Sequence, residues 1–363
     1  MKFTDEFRQS GIAQGIVSRL HRESITPARF MEFCGGHTTA IFKHGIRQLM
    51  PSTIELLSGP GCPVCVTANA DLDRAIAIAQ IPGMILTTFG DMLKVPGSYS
   101  SLQETRANGA DVRVVYSTLD AITIAKENSQ RPVVFLGIGF ETTAPTVAAS
   151  LLQAEEEGIS NYYVLSQHKI CPPVIQSLLG SGDIRLDGLI CPGHVSAVIG
   201  SHPWEFIASE YGIPCVISGF EPLDILQSIE MLVAQIEKGE AKVEIAYRRG
   251  VRPDGNQKAL EMIDQVFERC DASWRGFGVV PASGLKLRNR YQQFDAELVF
   301  PVNTTQAREH QGCICGDILR GVKVPLECRL FSTICHPDYP VGPCMVSHEG
   351  SCSAYYIYGA QHG

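Results

Sequence analysis

The chain has 363 residues, enough for two or three ordinary domains, and its apolar fraction of 45 % is that of a globular protein without long disordered stretches. A formal net charge of −8, with no run of five like charges, excludes the basic surface that nucleic-acid or anionic-membrane partners require. The opening MKFTDEFRQSGIAQG has no apolar signal core, and apolar runs such as VVFLGIGF fall short of a membrane span, so a cytoplasmic location is expected. There thiols stay reduced unless they are catalytic or metal-bound, and an odd count of 13 cysteines cannot form a fully paired disulfide framework.

The first apolar strand, RFMEF, runs into Cys34-Gly35-Gly36-His37-Thr38-Thr39. The glycines permit a tight turn and close approach of another group to the backbone. A thiol at a strand-to-helix junction faces the positive end of the next helix, which lowers its pKa and favours thiolate. His37 is spaced to hydrogen-bond whatever that thiolate holds; the plainer alternative is a buried cysteine beside a capping threonine. The next strand, TIELL, leads through Gly-Pro-Gly into Cys62-Pro63-Val64-Cys65. C-x-x-C at a helix start suits dithiol–disulfide exchange, with metal binding and a structural role as the alternatives.

Further strands follow in the same style. GMILTTF ends near Asp91, VRVVYS follows, and VVFLGIG precedes FETTAP, where Glu141 is an acid–base or anchoring candidate beside two threonines that also suit helix caps. YYVLSQ leads to His168 and Lys169, LDGLICPG to His194, and PCVISGF closes the series. Cys171, Cys191, Cys215 and Cys270 stand among apolar or small residues and read as inert buried thiols. Continuous apolar strands separated by helices predict parallel sheets covered on both faces. Three pairs of similar turns suggest an internal duplication: MEFCGGHTTAIF with VFLGIGFETTAPTV, LLSGPGCPVCV with LICPGHVSAV, and LTTFGDML with VISGFEPL. In such sheets ligands gather at the carboxyl ends of the strands, where all six turns fall. No P-loop and no complete G-x-G-x-x-G after a strand supports a nucleotide site.

From about residue 240 the texture changes, and after Pro281 the chain is rich in Gly, Pro and Cys. Six cysteines stand here: Cys313, Cys315, Cys328, Cys335, Cys344 and Cys352. The last four are too widely spaced for zinc knuckles and match neither common ferredoxin pattern. A [4Fe–4S] cluster on Cys328, Cys335, Cys344 and Cys352 is the first reading, with zinc or no metal as alternatives and Cys313 or Cys315 able to replace one member. His336 and His348 read as polar loop residues.

EFCGGHT, SGPGCPVC, GFETTAP and CMVSHEGSCSAYYIYG, in this order and spanning essentially the whole chain, together resemble the HypD family of [NiFe]-hydrogenase maturation factors. The resemblance implies an α/β fold with two similar Rossmann-like parallel-sheet α/β domains, over 1–120 and 121–240, and a small C-terminal α/β iron–sulfur domain over 241–363. It implies a scaffold for assembly of the Fe(CN)2CO group, with Cys34 holding the iron together with a cysteine of a HypC-type small chaperone. Cyanide would come from HypE, with HypF upstream, and the hydrogenase large subunit would be served indirectly. Cys62 and Cys65 would be the redox pair, His37 and Glu141 further site residues, and the four terminal cysteines the cluster ligands. No ordinary substrate turnover is assigned. Two other classes compete: a stand-alone iron–sulfur thiol–disulfide oxidoreductase with Cys34 structural, and a metal-stabilised interaction protein without redox chemistry.

Overall fold

The computed structural model describes residues 5–359; residues 1–4 and 360–363, the outer ends of the expected first and third domains, lie outside the described residues. The architecture is α/β, with two Rossmann-like parallel sheets and a small antiparallel ribbon. The strands are β1 (Ala28–Glu32), β2 (Ile54–Ser58), β3 (Ile85–Thr88), β4 (Asp111–Val114), β5 (Val133–Gly137) and β6 (Tyr162–Ser166). They continue with β7 (Gly188–Pro192), β8 (Cys215–Ser218), β9 (Val243–Ile245), β10 (Phe267–Trp274) and β11 (Gly278–Leu287). One sheet has the order β2-β1-β7-β8-β9, the other β4-β3-β5-β6, and β10 pairs with β11.

The chain therefore leaves the first sheet after β2, builds the whole second sheet, and returns for β7, β8 and β9. This corrects the expected boundaries at 120 and 240: the two units are nested, and β9 past residue 240 still belongs to the first sheet. It also changes the reading of the paired turns, because those after β2 and β7 lie in one sheet while β1 and β5 lie in different ones. A strand followed by a helix writes similar residues wherever it occurs, whereas sheet membership is decided by pairing across long separations, such as Phe30 beside Gly188. Gly188 is needed there, since a methyl group would stand 2.8 Å from the Phe30 ring.

Both faces of each sheet are buried, as the continuous apolar strands require. Phe30, Ile190, Val216, Ile225 and Ile229 pack the outer face of the first sheet against the helices Ser10–Glu23 and Pro222–Glu237. Phe135, Val147, Leu151, Tyr162 and Val164 form the outer core of the second sheet with the helix Ala144–Glu156. A third core joins the inner faces of both sheets to the C-terminal segment, through Met31, Leu86, Leu136, Leu189, Ile318 and Met345. Apolar packing thus locks the cysteine-rich segment onto the two sheets. The ribbon is tied in by bridges from Trp274 to Thr67 and from Gly284 to Lys169. Among the described residues no helix is long and apolar enough to cross a membrane.

Candidate functional site

All six expected turns lie at the carboxyl ends of their strands. Cys34 caps the helix Gly35–Lys43 in an extended conformation, and its carbonyl accepts the N–H groups of His37 at 2.8 Å and Thr38 at 3.1 Å. Glu32, the one acid in the apolar RFMEF strand, accepts the Cys34 N–H at 2.9 Å and the hydroxyl of Thr38. Burial pushes the Glu32 carboxyl up to about 8, against the opposing pull of those donors.

Cys34 is only 9 % exposed. Its thiol is pushed up to about 12, first by burial and then by the Glu349 and Glu32 carboxylates, although Gly36 and His37 N–H groups point to the sulfur and work the other way. This reverses the thiolate expected from the helix end alone: two N–H dipoles do not offset loss of water plus two negative neighbours. A cation at the sulfur would offset that penalty.

His37 is fully buried, and it does not turn to the thiol as its spacing suggested. Its Nε2 bonds the Gly219 carbonyl at 2.9 Å, and its ring stacks on Phe220 with centroids 4.6 Å apart. Nδ1 has no hydrogen-bond partner among the described residues, and burial lowers the imidazole pKa to about 4, so the ring is neutral. On the other side His194 stacks on Phe220 at 3.8 Å. Turns after β1, β7 and β8 thus contribute to one aromatic stack beside Cys34.

Cys62 and Cys65 are disulfide-bonded and buried. The pair sits against the Cys34 turn: Gly35 N–H donates to the Gly61 carbonyl at 3.1 Å, and any side chain on Gly61 would overlap the backbone of Phe33 and Cys34. From the other side the C-terminal segment closes in. A methyl on Gly35 would overlap Glu349, and Arg47 donates to the Tyr355 hydroxyl at 2.8 Å. Glu349 is itself raised by burial and by Asp91, at the end of β3.

Glu141, at the end of β5, accepts the Cys171 N–H at 2.8 Å through one oxygen, and the other has no partner among the described residues. Burial brings its carboxyl up to about 7. The Cys171 thiol is raised by burial, by Glu141 and more weakly by Cys34, which sets it in the charge field of both. Lys169 forms a buried ion pair with Asp71 at 3.2 Å, and His168 is buried and neutral, its pKa lowered to about 3.

The six terminal cysteines all line one small cavity, with Ile318, Leu330 and Phe331 among the other walls. Cys315 and Cys344 face each other with sulfurs 2.6 Å apart. The Cys352 thiol is raised by burial and by Cys315, Cys313, Cys335 and Cys328, the mark of several thiols crowded around one space. Among the described residues no three His, Cys, Asp or Glu side chains stand as ligands of a single metal ion. A cavity whose ligating side chains are thiols set among apolar residues fits an iron–sulfur cluster by donor type, because no carboxylate or imidazole lines it. Sequence reasoning missed Glu32, Phe220 and Glu349 around the Cys34 turn; only Glu32 carried a signal, an acid inside an apolar strand.

The profile of the family described as "Hydrogenase formation hypA family", HypD, matches residues 11–359. The chain is 47 % identical to the hydrogenase maturation factor HypD of Rhizobium leguminosarum bv. viciae, over 99 % of this chain and 96 % of the relative. It is 46 % identical to that of Azotobacter vinelandii, over 99 % and 98 %, and 45 % identical to that of Cupriavidus necator, over 99 % and 97 %. This chain belongs to the HypD family of hydrogenase maturation factors.

Proposed function

We propose that the chain is the scaffold on which the iron group carrying cyanide and carbon monoxide is assembled, its iron cargo held at Cys34. The observation that carries this reading is the convergence on one turn: Gly35 touches both the Gly61 carbonyl ahead of the Cys62–Cys65 disulfide and Glu349 beside the cysteine cavity. Iron(II) with strong-field ligands suits soft thiolate donors, and a second cysteine from a HypC-type chaperone lets the unit be handed on. HypE, charged by HypF, supplies cyanide, and the hydrogenase large subunit receives the product through the chaperone. Neutral His37 and the half-titrating Glu141 offer hydrogen-bonding and proton-holding groups at the strand ends.

A [4Fe–4S] cluster, held by four of the six thiols in the C-terminal cavity, supplies one-electron chemistry when bound. The contact between Cys315 and Cys344 favours a set in which those two remain a dithiol and Cys313 joins Cys328, Cys335 and Cys352, in place of the set containing Cys344. The Cys62–Cys65 pair is the redox dithiol beside the iron site. Infrared spectroscopy of the chain purified with its small chaperone tests the scaffold: cyanide and carbonyl stretching bands are expected in the wild type and absent in Cys34→Ala. Bands that survive the substitution sink the Cys34 assignment. Their absence from the wild-type complex favours the stand-alone oxidoreductase.

A further inference from the structure

One buried cation lies between the disulfide and the cysteine cavity, and neither the motifs nor the scaffold reading gives it a task. Arg275 follows β10 at the tip of the ribbon and is 5 % exposed. Its N–H donates to the Val66 carbonyl at 2.9 Å, and its Nη2 donates to the Thr67 carbonyl at 2.9 Å and to Asn69 Oδ1. These partners are the residues immediately after Cys65. Its Nη1 pairs with Glu309 at 3.0 Å, while Nε has no partner among the described residues.

The other side of the guanidinium meets the cysteines. Arg275 and Cys313 line one surface pocket together, and Cys313 is also part of the wall of the six-thiol cavity. The next residue, Gly276, has a φ of 84° and lies so close to Gly316 that a methyl there would stand 2.7 Å from the Gly316 carbonyl oxygen. The ribbon tip is therefore pressed onto the Cys313-Ile314-Cys315 segment. The charge of Arg275 is felt by the thiols of Cys313, Cys315 and Cys344.

A buried guanidinium with an unmet donor is costly unless something negative stands near it. Glu309 is half-exposed, and its attraction is weakened by water. A thiolate-bound iron–sulfur cluster is anionic and gains a further negative charge on reduction. We propose that Arg275 is the charge-compensating residue of this cavity: anchored on the segment after the disulfide, it stabilises the reduced state of a cluster bound there and so raises its midpoint potential. The inference rests on the cluster reading given above. One electron passes from an external reductant to the cluster, with no bond made or broken and no proton moved by Arg275.

The test is a dithionite redox titration of the full-length, iron- and sulfide-reconstituted chain, followed by electron paramagnetic resonance. In Arg275→Gln the ratio of reduced to oxidised cluster at the wild-type midpoint is expected to fall at least tenfold, about 59 mV for a one-electron couple. Arg275→Lys, which keeps the charge and loses the fork, is expected to stay within about threefold. Asn69→Asp places a carboxylate against the same guanidinium and is expected to shift the midpoint down as well; it decides the matter if Arg275→Gln does not fold. An unmoved midpoint in Arg275→Gln at wild-type iron and sulfide content overturns the inference, as does an equal shift in Arg275→Lys. A wild-type chain that takes up no acid-labile sulfide overturns the cluster reading itself, which is a different failure.

Discussion

Thr39, on the helix that Cys34 caps, donates its hydroxyl to the carbonyl oxygen of His348 at 2.8 Å. More than three hundred residues apart in sequence, the two bring the C-terminal segment to the turn that follows β1. Gly35 is the adjacent point of closest approach, with no room for a methyl group beside Glu349. Gly35→Ala is therefore expected to cost about 1–3 kcal/mol by overpacking. Gly11→Ala, in a helix with nothing within 4 Å of the added carbon, is expected to be neutral or stabilising by about 0.5–1 kcal/mol. Urea unfolding of the two variants checks the pair, and an equal effect at both positions refutes the close contact.

The Lys169–Asp71 pair joins the end of β6 to the helix Asn69–Ala79, and Gln167 adds its amide at 3.1 and 3.2 Å from the two Asp71 oxygens. Lys169→Met leaves Asp71 buried without its cation and is expected to cost about 3–5 kcal/mol. Adding Asp71→Leu is expected to restore most of that loss, because the desolvated charge goes with it. A double variant no more stable than Lys169→Met would mean that the pair is not the source of the cost. Equilibrium denaturation of the three chains measures the coupling.

Eleven cysteines are free and two are joined in the Cys62–Cys65 disulfide. Thiol titration of the metal-free, denatured chain without reductant is thus expected to return 11, rising to 13 after reduction. Cys62→Ser is expected to give 12 under both conditions, since Cys65 loses its partner and is released. Mass spectrometry of an alkylated digest locates the pair; a different peptide carrying the bond would reassign the oxidised site.

Glu141 gives stability a sign with pH. Its carboxyl titrates near 7 in the folded chain and at an ordinary 4.5 when exposed, so the folded state holds the proton more tightly. Its contribution is fully present below 4.5 and is lost as pH rises towards and through 7, on the order of 3 kcal/mol for a shift of this size. His168 acts in the opposite direction: it is neutral in the fold, and its contribution grows as pH rises from about 3 to its ordinary 6.5. The difference between wild type and Glu141→Gln isolates the first effect. The variant keeps an acceptor for the Cys171 N–H, and its stability is expected to fall less between pH 4.5 and 7.5. Parallel stability curves across that window would remove Glu141 as the titrating group.

Local chemistry was readable from the chain, and long-range arrangement was not. Cys34, Cys62 and Glu141 were singled out because a Gly-rich turn after an apolar run is a local signal, and the cysteine-rich end stands out by composition. The nesting of the second sheet was invisible, since β2 and β3 look like neighbours and only β7 reveals where β1 is completed. The raised thiol of Cys34 was also hidden: the helix end is written in Gly35-Gly36, but Glu349, which opposes it, comes from the opposite end of the sequence. His37 was singled out beside Cys34, but its partners Gly219 and Phe220 lie on β8's turn, where no spacing rule reaches.

The nested path also sets an order in time. When β2 has left the ribosome, β1 has one neighbour and an open edge, and its second neighbour arrives only after about 130 more residues have been made. In that interval the four strands of the second sheet pair among themselves, each with a neighbour close in sequence. The first sheet is completed only with β9, and the Cys34 turn only when the cysteine-rich end brings Glu349 against Gly35. A nascent chain thus lacks a finished Cys34 turn until most of its length exists.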